Sequence, residues 1–268
     1  MRSRERQRLV PAGPLAWAVL LFLYLPLAAL VWMSFNAGPS ALAWQGWGMH
    51  GYIDAARDMT LRRASVASLL LATASTILST SLALAAAVAS WHATARKRFA
   101  LTAWIAVPLV VPEIVLALGT LLLFSALSIE PGFVTVLFAH VVFCLPFAYL
   151  PISARLARID RQLLEAAADL SATPWSAFRQ ITLPLATPGI VAGAMLAFVA
   201  SMNDYLTSYF LAGAGLTTLP MYIFSALKLG LTPKINAIST AIVGVALLQL
   251  AGVWLVRSDR HPHPSFDT

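Results

Sequence analysis

Three ionisable residues interrupt long apolar stretches of this chain: Glu113, His140 and Asp204. Each costs several kcal/mol near the centre of a bilayer unless it faces protein or water, so each marks either an interior polar contact or a path for a charged solute. Glu113 follows Pro108 and Pro112, whose rings kink a helix and leave backbone carbonyls without partners close to the carboxylate. Asn203, Tyr205 and Tyr209 flank Asp204. Two carboxylates, freed carbonyls and tyrosine rings form a set that favours a cation, through charge and through the ring quadrupole. Two blander readings stand beside that one. Glu113 can pair with His140 as structural glue, or Asp204 can lie at an aqueous edge. His140 by itself is more often an interhelical hydrogen bonder than a pathway residue.

Catalysis has no comparable set. The chain carries no glycine-rich phosphate loop ending in GK[ST], no metal-ligand cluster and no nucleophile with a base beside it. His50, His92, His261 and His263 fall in polar flanks. The expectation is a protein with no catalytic residue, no metal and no cofactor of its own.

The elements that must position the three charges are apolar helices. Hydrophobic residues make up 59% of the 268 residues and charged residues 11%, against about half and a quarter in a soluble domain. Six stretches reach the roughly 20 residues that a membrane span needs: 15–35, 66–91, 101–128, 133–156, 185–210 and 235–256. The first follows basic residues, as a signal peptide would, but it is long, contains Pro26 and lacks a small-residue cleavage site, so it reads as a retained span. Cys144 is the one cysteine and lies in a predicted span, which excludes an internal disulfide. No internal repeat or soluble domain stands out, and the expectation is a single membrane domain over 1–268.

The pI of about 10.1 does not signal nucleic acid, because the basic residues sit in short runs beside apolar segments. Thirteen of the 18 Lys and Arg residues fall on one side of the six spans: Arg2, Arg4, Arg6 and Arg8; Arg96, Lys97 and Arg98; Arg155, Arg158, Arg161 and Arg179; Arg257 and Arg260. The other side has Arg57, Arg62, Arg63, Lys228 and Lys234. Both termini and the 157–184 segment are therefore expected in the cytoplasm. A short apolar stretch after Pro220, 219–229, suits a re-entrant or interfacial helix.

Helical phase then orients Asp204. Gly193, Ala197, Ala200, Ser201, Asp204 and Ser208 make a small or polar stripe over the fifth span, opposite Leu196, Val199, Met202, Leu206 and Phe210. On that phase Asp204 faces inward, and Glu113, His140 and Asp204 can meet in the outer half of the membrane.

Asp160 to Pro184 is too polar for hydrocarbon yet carries two sets of helix caps. Asp160 is a good N-cap, and Ile159 and Leu164 occupy the positions of a hydrophobic staple. Thr173 caps a second helix with Pro174 at its first position; Trp175, Phe178 and Ile181 recur at helical spacing, and Pro184 is expected to stop it. Glu165, Ala166 and Ala167 present a small knob with one charge, followed by Asp169, Leu170 and Ser171. Such a pair can dock into a groove on a partner or lie as an amphipathic hairpin on the membrane surface.

The spacing from Glu165-Ala166-Ala167 through Ser171 to Ile181, Leu183 and Pro184 resembles the EAA loop of permease subunits in bacterial ABC importers. Where that family has glycine this chain has Ser171, which bears on the turn between the two helices. Further stretches resemble the second permease subunit of spermidine/putrescine importers: AWQGW (43–47), VPEIVLALGTLLLF (111–124), FAHVVFCLPF (138–147), SMND (201–204) and ALKLGLTPKINAIST (226–240). The resemblance implies an all-α integral membrane protein of six transmembrane helices with the type I ABC importer permease fold and a cytoplasmic coupling helix. It implies a bacterial inner membrane location and a polyamine or similar organic cation as cargo. The implied partners are a second homologous permease, an ABC ATPase dimer that binds ATP and Mg, a periplasmic substrate-binding protein and membrane lipid. Glu165, Ala166, Ala167, Asp169, Leu170 and Ser171 would then couple to the ATPase, and Glu113, His140, Asn203, Asp204, Tyr205 and Tyr209 would line the substrate pathway. Relatives often carry two adjacent acids where this chain has Asn203-Asp204, so the charge of the cargo stays open. Another small amine or amino-acid-like solute remains an alternative. A secondary transporter is disfavoured because paired halves with broken helices are not visible, and a scaffold leaves the intramembrane acids unexplained.

Overall fold

A computed structural model describes residues 12–41, 43–160 and 162–258. Arg2, Arg4, Arg6, Arg8, Arg161 and Arg260, which entered the orientation count, lie outside the described residues, as do His261 and His263. The described residues are helical with no strand; one isolated bridge joins Asn36 and Trp47. Twelve α-helices follow in order: α1 (Ala12–Met33), α2 (His50–Arg57), α3 (Met59–Trp91), α4 (Ala95–Val110), α5 (Glu113–Ala126), α6 (Phe133–Leu156), α7 (Gln162–Asp169), α8 (Pro174–Ala177), α9 (Leu183–Asn203), α10 (Leu206–Leu211), α11 (Leu219–Lys228) and α12 (Pro233–Ser258). Four stretches are long and apolar enough to cross a membrane: 16–33, α3, α6 and the continuous Pro174–Asn203; the bent pair of α4 and α5 makes a fifth if taken as one span. The side chains of α12 beyond residue 247 lie outside the described residues, and a count of six spans remains an expectation.

The helices group into two compact units, 1–58 with 225–268, and 59–224. In the first, α12 packs on α1 and α2. Gly51 lies so close to Pro233 that a Cβ would stand 2.7 Å from its carbonyl oxygen. Lys234 pairs with Asp58. The loop after α1 is tied by one side chain, since Asn36 Nδ2 donates to the carbonyls of Ser40 and Ala43 at 2.8 Å and its Oδ1 accepts the Gln45 amide at 2.8 Å.

The second unit is built on α3, α6 and α9. α3 buries Ala64, Ser68, Leu71, Ala72, Ser75, Ser79, Ala83 and Ala87 along one face, and α9 buries Ala186, Gly189, Gly193, Ala197 and Ser201. Side chains this small let backbones touch. A Cβ on Gly193 would sit 2.6 Å from the Ala148 carbonyl of α6. Cys144 is buried in that same contact and donates to the Ala197 carbonyl at 3.4 Å.

Three expectations change. The 101–128 stretch is no kinked single helix: α4 ends at Val110, Val111 and Pro112 are extended, and α5 leaves at 99°. A proline ring clashes with the α conformation of the residue before it, so two prolines four apart end the helix here instead of bending it. The 185–210 stretch also breaks, because Asp204 is extended (φ −68°, ψ 115°) and α10 restarts at Leu206. Helical phase therefore holds up to Asn203 and carries no meaning for Ser208 or Phe210. Pro184, conversely, stops nothing. Phe178–Thr182 forms a π-turn in which the Leu183 amide reaches the Phe178 carbonyl, and the helix continues to Asn203. The wider turn relieves the clash that Pro184 would impose on an α-helix.

Candidate functional site

The break after Asn203 frees backbone groups in the interior, and a network of side chains from four helices forms around it. The Asp204 side chain is fully buried, and its Oδ1 accepts the Ser208 amide of α10 at 3.0 Å. His140, equally buried on α6, places Nε2 3.5 Å from that same oxygen and 3.2 Å from Ser208 Oγ. Its Nδ1 lies 2.8 Å from Ser201 Oγ, and Ser75 Oγ of α3 donates to Ser201 at 2.9 Å. One imidazole thus joins α3, α6, α9 and α10. Asp204 Oδ2 is also buried and has no hydrogen-bond partner among the described residues. α10 is tied back at its other end, where Thr135 Oγ1 donates to the Leu211 carbonyl at 3.0 Å.

The second break supplies the second acid. Glu113 is the first residue of α5, half-buried, and α5 packs against α10. Its carboxylate faces the Leu206 backbone amide and lies within electrostatic range of Asp204 and His140. The structure thus brings Glu113, His140 and Asp204 together. Of the other pathway candidates, Asn203 is exposed, Tyr205 is half-buried with its ring 4.4 Å from Phe224, and Tyr209 is 55% exposed with its ring 5.5 Å from Tyr205. The chemistry is negative: Glu113 is a carboxylate partly open to its surroundings and Asp204 a sealed one, with the Tyr205 and Tyr209 rings following Asp204 in the chain. Ser75 and Ser208 are members that sequence reasoning did not assign to this cluster. The small-residue stripe of α3 was the available signal for Ser75; nothing in the local sequence points from Ser208 to His140.

Over 160–184 each helix end is satisfied locally. Asp160 Oδ1 accepts the Gln162 amide at 3.0 Å, and Ile159 and Leu164 pack in one core cluster, as a staple requires. Thr173 Oγ1 accepts the Ser176 amide at 3.2 Å above Pro174. α7 closes with paired bonds from Ala172 N to Ala167 O and from Ser171 N to Ala168 O, both 2.9 Å, the Schellman arrangement. Ser171 has φ 62°, so it adopts the left-handed conformation that a glycine would take there. Glu165, Ala166, Asp169 and Leu170 are exposed, Leu170 at 84%. Ala167 does not extend the exposed knob, since it is 7% exposed. The exposed set is two acids one turn apart on α7, Glu165 and Asp169, with Leu170 just beyond them.

The model of the family described as "binding-protein-dependent transport system inner membrane component" matches residues 79–260. The chain is 40% identical to the putrescine transport system permease protein PotI of Escherichia coli strain K12, over 83% of this chain and 82% of the relative. It is 34% identical to the spermidine/putrescine transport system permease protein PotC of that strain (92% and 94%) and 35% identical to PotC of Haemophilus influenzae (91% and 96%). Among solved structures, a bacterial ABC transporter involved in import of the acidic polysaccharide alginate aligns with TM-score 0.67 at 16% identity, covering 98% of this chain and 99% of that one. The inward-facing MetNI methionine ABC transporter aligns with TM-score 0.62 at 19% identity over 75% and 96%. These structures establish the fold, that of ABC importer permeases. Broken helices, named above as a mark of secondary transporters, occur in this chain at Val111–Pro112 and at Asp204.

Proposed function

Because this chain belongs to the family of binding-protein-dependent transport system inner membrane components, we propose that it forms half of a transmembrane route by which a polyamine of the putrescine or spermidine class enters the cell. It is a transport subunit of an ABC importer and not an enzyme. The cargo assignment is carried by one observation: two permeases named for polyamines share 34–40% identity with this chain over most of its length. The convergence of Glu113 and Asp204 at two helix breaks agrees with it, since a desolvated ammonium needs a carboxylate.

On this reading Glu113, with Asn203, Tyr205 and Tyr209, meets the cation first, while Asp204, held at the break by His140, adds negative potential behind it. ATP and Mg belong to an ABC ATPase dimer under the 160–184 segment, whose exposed Glu165, Ala166, Asp169 and Leu170 enter a groove on it; Ala167 and Ser171 shape that helix. A second, homologous permease completes the route, a periplasmic binding protein delivers the cargo, and both termini lie in the cytoplasm.

The test is uptake of labelled putrescine and spermidine by proteoliposomes holding the assembled importer with its binding protein outside. Glu113→Gln should lower uptake about tenfold to a hundredfold, the equivalent of one charge-assisted bond of about 1.5–3 kcal/mol, with ATPase binding intact. Glu165→Lys should instead uncouple the ATPase. Normal uptake of both amines by Glu113→Gln and Asp204→Asn would refute the acidic route, and failure of either amine to stimulate ATP hydrolysis in the wild-type assembly would refute the cargo.

A further inference from the structure

A cavity of about 760 Å³ opens where the last turn of α3, the first turns of α4 and the last turns of α6 meet. Trp91, Phe99, Leu150 and the methyl groups of Ala87 and Ala154 make its walls, and Arg98 is the one charged residue that lines it. No carboxylate lines it, and among the described residues none of Arg96, Lys97 and Arg98 forms an ion pair. The hydroxyls on its floor are already engaged with one another. Tyr149 Oη donates to Ser90 Oγ at 3.1 Å, Ser90 donates to the Ala87 carbonyl at 2.8 Å, and Thr102 lies 2.9 Å from Tyr149 Oη. A guest therefore finds one guanidinium with a fork of N–H donors, set against apolar walls.

Position in the fold narrows the guest. α3 and α6 are long and apolar enough to cross a membrane, and the cavity lies at the ends of both, beside Trp91, the last residue of α3. That is headgroup depth, where tryptophan rings concentrate. An ammonium solute would meet an uncompensated arginine here, which separates this cavity from the Glu113 and Asp204 cluster. We propose that it binds an anionic phospholipid, with the Arg98 guanidinium on the phosphate oxygens and the glycerol and first acyl carbons against Trp91, Phe99 and Leu150. Arginine suits this because its planar fork binds phosphate in two places at once.

Native mass spectrometry of the assembled importer in detergent, titrated with dioleoyl phosphatidylglycerol, dioleoyl phosphatidylcholine or inorganic phosphate, tests the assignment. The wild type should hold phosphatidylglycerol about tenfold more tightly than phosphatidylcholine, and Arg98→Gln should abolish that preference. Ala154→Leu, at an exposed wall position, should lower retention with all three cations intact, whereas Arg96→Gln should not change it. Equal retention by wild type and Arg98→Gln, or equal affinity for the two lipids, overturns the proposal. Loss in Arg96→Gln as large as in Arg98→Gln would assign binding to the general field of the basic turn, and full retention in Ala154→Leu would place the lipid elsewhere; either overturns it. Displacement of the lipid by millimolar inorganic phosphate, with phosphate retained on its own, would assign the site to free phosphate and overturn the lipid reading.

Discussion

Two polar interruptions of helix, the break at Asp204 and the turn at Ser171, solve one problem in opposite ways. At both, carbonyls and amides lose their helical partners. Near Ser171 every substitute comes from within a few residues: Asp160 to Gln162, Thr173 to Ser176, and the two bonds that close α7. Around Asp204 the freed Ser208 amide goes to the Asp204 carboxylate, and that carboxylate is held in turn by His140, 64 residues back along the chain, which shares Ser201 with Ser75, 129 residues back. Water explains the difference. An exposed turn needs only enough local bonding to hold a shape, because solvent takes the remaining groups, whereas a break inside a span must be satisfied by protein. The exposed segment is consequently stable piece by piece, and the buried site stands or falls as a unit.

The largest effect should come from removing the shared imidazole. His140→Leu leaves Ser201 and Ser208 without their common partner and Asp204 without its counter-group, all at or below 4% exposure. The loss expected is about 2–5 kcal/mol, from the cost of orphaned buried polar groups and of an uncompensated buried charge. A fall of many degrees in the apparent unfolding temperature in detergent would show it. An unchanged temperature would mean that the cluster is no unit.

Gly193→Ala probes the same core through packing. Its methyl group would lie 2.6 Å from the Ala148 carbonyl and 3.1 Å from the Ala148 Cα, which are backbone atoms that cannot swing aside. α9 must back away from α6, at a cost of about 1–3 kcal/mol. Because Gly193 sits eight residues before Ser201 on the same helix, the serine to imidazole bond should lengthen too, visible as a shift in the His140 ring resonances. Wild-type stability together with unshifted resonances would show that the helix pair has slack.

This contrast also decides what was legible beforehand. The caps at Asp160 and Thr173 and the staple of Ile159 with Leu164 follow from neighbours in sequence, and the structure has them. The long apolar helices were legible from composition alone. The break at Asp204 was not, because Ser201-Met202-Asn203-Asp204 continues an acceptable helical phase and the groups that make a break tolerable are far away in the chain. Pro112 signalled a disturbance without revealing its size, and Pro184 misled because a π-turn can absorb a ring that an α-helix cannot. A meeting of Glu113, His140 and Asp204 was among the expectations, yet the network that closes around Asp204 also draws on Ser75, marked only by the small-residue stripe of α3, and on Ser208, whose bond to His140 no local pattern reveals.

In the exposed 160–184 segment, losses should be small and confined. Thr173→Ala removes the acceptor of the Ser176 amide, a cap worth about 1 kcal/mol. Amide exchange at Ser176 should quicken about fivefold while the apparent unfolding temperature stays put. A global loss of stability from this variant would contradict the claim that the segment is held piece by piece.

The smallest effect should be a gain. Ser171 is held at φ 62°, where a Cβ crowds the following carbonyl and costs roughly 1 kcal/mol or somewhat more, and glycine carries no such penalty. Part of the gain is offset by the greater freedom of glycine in the unfolded chain. Ser171→Gly should therefore strengthen the turn by no more than about 1 kcal/mol. The change should slow amide exchange at Ala172, whose bond to Ala167 closes α7, and leave the His140 cluster untouched. Ser171→Val should do the reverse, since a β-branched side chain tolerates the left-handed region least. If glycine weakens the turn, the serine hydroxyl must be making a contact that outweighs its backbone strain, and the docking face at Glu165 and Leu170 would owe its shape to that hydroxyl as well as to the caps.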